Sequence, residues 1–145
     1  MYRHAANYEA EIAWHNSAHG GSSAVSFEKI PHPIFTFPQI ASVGLGESEA
    51  RPRHDILIGK ALYSEVAKGK AMMEEEAFVK LLVDKGTGKI LGCHIIGPEA
   101  ALLIQEVADA MASTENLTPI LAGIHIHPAL SEVITTAIGN LWPPD

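Results

Sequence analysis

The sequence predicts an α+β domain, an antiparallel sheet with helices packed on one face. Three observations lead there. Apolar runs of strand length occupy the chain from about residue 30 to residue 96. Two of them flank "DKGTGK", whose glycines can supply the positive φ that a hairpin turn needs. Beyond Pro98 the apolar residues recur at helical spacing instead. Strands first and helices later point to an antiparallel sheet covered by helices.

Taken in order, Tyr2 to about Asn16 places Ala5, Tyr8, Ile12 and His15 on one side at helical spacing. "SAHGGSSAVS" follows as a linker of small residues and glycines. This divides the chain into an N-terminal helix and linker, 1–29, and a domain, 30–145. "IPHPIFTFPQIASVGL" is β-rich, but Pro31, Pro33 and Pro38 suit an edge or bulged strand. "HDILIGKALYSEV" is a second strand candidate. The hairpin "AFVKLLVDKGTGKILGCHIIG" is expected to set Val79, Leu81 and Val83 on one face, and Leu91, Cys93 and Ile95 on one face. Pro98 suits a first helical position. Leu103, Ile104, Val107, Ala108 and Met111 form the inner stripe of that helix, with Glu106 and Asp109 outside. Thr118 and Pro119 read as cap and first residue of a short helix. "IHIHP" reads as extended, and "ALSEVITTAIGNL" as a last helix with Leu130, Val133, Ile134, Ala137 and Leu141 along one side.

Composition narrows the classes. A 145-residue chain, 47% hydrophobic and 19% charged, is globular and large enough for one core. Its net charge of -7 and the lack of a basic stripe argue against nucleic acid as a partner. No apolar run approaches the ~18 residues of a membrane span, and "MYRHAANYEAEIAWHN" does not read as a signal peptide. The single cysteine, Cys93, excludes an internal disulfide and fits a reducing cytoplasm. "GLGESEA" lacks the third glycine of a dinucleotide fingerprint, and "GTGK" lacks the spacing of a phosphate loop. "MMEEEAF" reads as a solvated charge run.

The histidines of "HIHPALSE" (residues 125–132) remain. In an extended segment His125 and His127 point to one side, as a metal clip would have them. Zinc, however, wants three or four ligands, and nothing nearby supplies the rest. A second reading is a pair of satisfied histidines at a strand end. The third is acid–base chemistry: Pro128 stops the strand, and a chain reversal can return the Glu132 carboxylate to His127. A carboxylate on one ring nitrogen fixes the tautomer and leaves the other nitrogen as a base near neutral pH. A thiol substrate needs such a base, because thiols react as thiolates.

"HIHPALSE" closely resembles the "HxHPTxSE" of dihydrolipoamide dehydrogenases, within the FAD-dependent pyridine nucleotide–disulfide oxidoreductase family. "IPHPIFTFPQIASVGLGESEA" is similar to the strand that opens the family's dimerisation domain. "FVKLLVDKGTGKILGCHIIGPEA" resembles its central hairpin and the start of its long helix. The likeness runs from about Ile30 to Asn140, in family order and spacing. The N-terminal helix resembles the element leading out of the family's FAD domain. The resemblance implies His127 as catalytic acid–base, acting on the partner subunit's disulfide and flavin, and Glu132 as its orienting partner. His125 and Pro128 are supporting positions in it. Glutathione reductase is the nearer rival branch, and the retained "HP" and "SE" are unlike mercuric reductase.

Ala129 departs from the usual threonine, and Leu102 from a position that is commonly acidic. The family's FAD domain, NAD domain and redox disulfide lie outside these 145 residues. The resemblance therefore implies FAD and NAD as cofactors of the parent enzyme, with none bound by this chain alone. The isolated chain is expected to be colourless and inactive, with a cis His127–Pro128 bond. Its expected partners are a second copy and a separate FAD/NAD-bearing chain. The dimer surface is expected to be the apolar excess of Leu130, Val133, Ile134, Leu141 and Trp142, with Leu102. The alternative is a non-catalytic dimerisation or interaction module.

Overall fold

The computed structural model describes residues 2–144. Its elements are α1 (Arg3–His19), β1 (His32–Ile34), β2 (Ile40–Gly44), α2 (Glu47–Ala50), β3 (Ile56–Leu62), α3 (Ala67–Ala71), β4 (Phe78–Asp84), β5 (Ile90–Ile96), α4 (Ala100–Ser113), α5 (Thr118–Ala122) and α6 (Glu132–Gly139). The five strands form one antiparallel sheet in the order β1-β2-β5-β4-β3. Helix α4 lies over β2 and β5, and α6 over β3 and β4, on the same face. Between them sits the main core, which includes Val43, Val79, Leu81, Cys93, Ile95, Ile104, Val107, Val133 and Ile134. Leu81 is fully buried there, so Leu81→Ala would cost about 3 kcal/mol through lost contacts and a residual cavity. The opposite face carries a smaller cluster of Ala50, Ile56, Leu82 and Leu91 under α2.

The hairpin forms because Asp84 organises its turn. Its Oδ1 accepts the Thr87 amide at 2.8 Å and the Thr87 hydroxyl at 2.7 Å. Gly88 supplies the left-handed backbone at φ 71. The pairing then shifts between Leu82 and Val83. That bulge corrects one expectation, because Cys93 and Ile95 stay in the main core with Ile90 while Leu91 turns to the opposite face.

Other boundaries also differ from the sequence reading. The proline-rich stretch makes two paired strands, β1 and β2, with edge strand β1 only three residues long. Helix α1 runs on to His19 and stops at Gly20, whose φ of 66 ends it, so the first residues assigned to the linker are helical. Pro98 precedes α4, which starts at Ala100 after Glu99 at φ 60. Thr118 is the first residue of α5, and the Asn116 side chain accepts its amide at 2.9 Å. "IHIHP" joins no strand.

The proposed dimer surface also needs correction. Val133 and Ile134 are fully buried in the chain's own core, and Leu130 and Leu141 pack against it. Of those five residues only Trp142 is exposed. The apolar side chains that do face solvent near the histidines are Leu121, Ile124 and Ile126, with Leu102 on α4.

Candidate functional site

The chain leaves α5, passes through residues 124–127 without regular structure, and turns at a cis His127–Pro128 bond into α6. Glu132 is the first residue of that helix. One of its oxygens accepts the Ala129 amide at 2.9 Å, and the other meets His127 Nδ1 at 2.8 Å. The tight local turn thus returns the carboxylate to a ring only five residues upstream. The Ala129 amide, and after it the His127 ring, holds the Glu132 carboxyl below the usual carboxylate range. The residue therefore stays anionic at neutral pH.

A carboxylate can only accept, so His127 Nδ1 must carry the proton. In the neutral ring the lone pair is then on Nε2, which has no hydrogen-bond partner among the described residues. The His127 side chain is 70% exposed while Glu132 is 22% exposed. A sheltered carboxylate therefore presents a basic nitrogen to whatever docks on this surface.

His125 does something else. Its Nε2 meets Glu106 Oε1 on α4 at 2.8 Å, across 19 residues of chain. Its side chain is only 16% exposed. This pair ties the segment between α5 and α6 to the core helix and leaves His127 to project. Sequence reasoning placed Glu106 on the outer side of α4 but had no signal for its partner. It also missed a third pair, His54 Nδ1 to Asp84 Oδ2 at 3.0 Å.

Other candidate chemistry falls away. The Cys93 thiol is buried and pushed up to about 12 by that burial, so it is packing and no nucleophile. Among the described residues, no group of three or more His, Cys, Asp or Glu is gathered for a metal ion. The Gly44–Leu45–Gly46 turn leads into a helix of four residues that carries Glu47 and Glu49 in its first turn. Glu49 already accepts the Gly46 amide at 2.9 Å, and Glu47 is held by Arg51 and Lys80, so a carboxylate caps the end where a pyrophosphate would need amide donors and the turn does not fit a dinucleotide. No helix among the described residues is long and apolar enough to cross a membrane.

The fold and this exposed, carboxylate-held imidazole define an α+β module that offers a base at its surface beside unpartnered apolar side chains. The sequence profile of the pyridine nucleotide-disulphide oxidoreductase dimerisation domain matches residues 30–138, and the chain belongs to that family. It is 37% identical to mycothione reductase of Mycobacterium tuberculosis over 97% of this chain and 32% of that one. It is 35% identical to dihydrolipoyl dehydrogenase of Chlamydia trachomatis over 90% of this chain and 28% of that one. The crystal structure of LpdA from Mycobacterium tuberculosis superposes with a TM-score of 0.81 at 25% identity, covering 89% of this chain and 28% of that one. The chain thus spans about a third of the length of the curated relatives it matches.

Proposed function

We propose that this chain is the dimerisation portion of a dihydrolipoyl dehydrogenase-type flavoenzyme, and that His127 is the acid–base it contributes to a partner subunit. The observation that carries this reading is the His127–Glu132 pair, with Nδ1 held at 2.8 Å and Nε2 left open at the surface. In such an enzyme FAD relays electrons between a disulfide and NAD. The work of this chain is the proton. His127 Nε2 accepts it from one thiol of the dithiol substrate, and the resulting thiolate attacks a sulfur of the partner's disulfide. Attack forms a mixed disulfide and expels the other sulfur as a thiolate. The second substrate thiol then closes the substrate disulfide and leaves a reduced dithiol behind. Glu132 keeps Nδ1 protonated and stabilises the imidazolium formed on the way.

A second reading concerns the substrate and rests on the 37% identity to mycothione reductase. The same imidazole would then protonate the thiolate released from a mycothione-type disulfide.

The test supplies the FAD/NAD-bearing portion of a dihydrolipoyl dehydrogenase as a separate chain and measures NADH-dependent reduction of lipoamide and of mycothione. Activity that appears only with both chains, and is lost in His127→Gln, is the expected result. Which disulfide is turned over separates the two substrate readings. A complex that is fully active with His127→Gln would sink the assignment. The chain alone is expected to be colourless and without turnover. A self-associating chain that never assembles activity would mark a non-catalytic dimerisation module.

A further inference from the structure

Among the histidines outside the site above, two form a pair on α1. His15 and His19 lie one turn apart near the end of α1. Residues four apart share a helix face, and the two ring centroids are 5.0 Å apart, inclined at 48°. Both residues are exposed, and their ring nitrogens have no hydrogen-bond partner among the described residues. A metal at ~2.0–2.1 Å from each of two imidazole nitrogens needs those nitrogens only ~3 Å apart. Rings already this close reach that separation by side-chain rotation alone.

The surroundings favour a cation. The pair sits at the carbonyl end of a 17-residue helix, the negative end of its dipole. Glu11 lies one turn earlier on the same face and is also exposed. The helix end is fixed as well. Asn16 bonds Ser23 twice, Nδ2 to the carbonyl at 2.9 Å and Oδ1 from the amide at 3.0 Å, which folds the Gly20–Gly21 turn back. A Cβ at Gly21 would stand 3.4 Å from His15 Cδ2, an ordinary contact distance, so the turn lies beside the ring.

We propose that His15 and His19 form a two-imidazole clip for a borderline divalent transition metal, with water filling the remaining positions. Imidazole suits Cu2+, Ni2+ and Zn2+, with Cu2+ bound most tightly, and it does not suit Mg2+ or Ca2+. Trp14 stands edge-on to His19 with centroids 5.4 Å apart, so its emission reports on the site.

The test is a titration of the tag-free chain in a non-coordinating buffer with CuCl2, NiCl2, ZnCl2 and MgCl2. Trp14 fluorescence is followed in a Trp142→Phe background, and calorimetry gives the stoichiometry. Expected are one Cu2+ per chain, weaker Ni2+ and Zn2+, no response to Mg2+, and a loss of at least ~10-fold in Cu2+ affinity with either His15→Ala or His19→Ala. Both residues are exposed, so circular dichroism of the variants should match the parent. Wild-type affinity in both variants would overturn the proposal by placing the metal elsewhere. An effect of only one substitution would overturn it by reducing the clip to a single ligand, and so would failure of the parent to bind Cu2+.

Discussion

His125 and His127 stand two residues apart, and each meets a carboxylate at 2.8 Å, yet they are built for opposite purposes. His125 reaches Glu106 on another element and is mostly covered. His127 reaches Glu132 within its own turn and is mostly open. A long-range pair converts hydrogen-bond energy into the fixed course of a segment. A short-range pair costs little chain entropy and can leave one face of the ring to solvent. Distance and chemistry alone would not tell them apart. Loop length and exposure do.

The comparison can be broken most forcefully at His127. In the assembled two-chain enzyme, His127→Gln should lower turnover at least ~100-fold, the usual contribution of a positioned base, with the chain's thermal midpoint unchanged. Steady-state rates and a melt on the same sample check both halves. Glu132→Gln keeps an acceptor near Nδ1 but removes the charge, and a drop in turnover of about tenfold is expected. Glu106→Gln should do the reverse, losing about 1 kcal/mol of stability while turnover falls less than in Glu132→Gln. Denaturant unfolding of the two variants side by side decides this, and equal stability losses would erase the distinction between the pairs.

The smallest effect sharpens the contrast through the third pair. Asp84 is held at about 2, chiefly by the Thr87 hydroxyl and amide and then by His54. Glu115 is held at about 2 by Lys29 and Lys89. Carboxyls lowered on folding add stability above their ordinary pKa, and lose it as pH falls toward the folded value. Stability should therefore decline between about pH 4.5 and pH 2, and Asp84→Asn should flatten that decline while leaving turnover at neutral pH unchanged. Acid titration followed by circular dichroism measures it.

What the sequence made legible follows the range of each interaction. The hairpin was readable because two apolar runs flank "DKGTGK", and its Gly88 does take the positive φ that the turn needs; the capping role of Asp84 was not read. The inner stripe of α4 was readable because Leu103, Ile104, Val107, Ala108 and Met111 keep a helical period. The His127–Glu132 contact was readable because five residues and a proline nearly force it. Glu106 as the partner of His125 was not, because 19 residues and a second helix separate them. Leu91 was misplaced because a bulge reverses the alternation on which the reading depended. The apolar excess on α6 was overestimated because α6 spends Val133, Ile134 and Ala137 on its own sheet.

That last contact has a consequence at the other end of the helix. Gly59 on β3 lies so near α6 that an added Cβ would stand 2.0 Å from the Ala137 carbonyl oxygen. Asn140 bonds the Lys60 carbonyl at 2.9 Å, and Trp142 pairs with Ile58. Together they make the C-terminal end of α6 a fulcrum, and Glu132 sits at the far end of the lever. A methyl group at Gly59 would force α6 off β3 at this end, and the hydrogen bond from Asn140 and the pairing of Trp142 would strain with it. The seat of α6 on the sheet is thus set partly from an edge strand that carries no chemistry. A glycine there is what lets the helix that begins at Glu132 lie flush against the sheet.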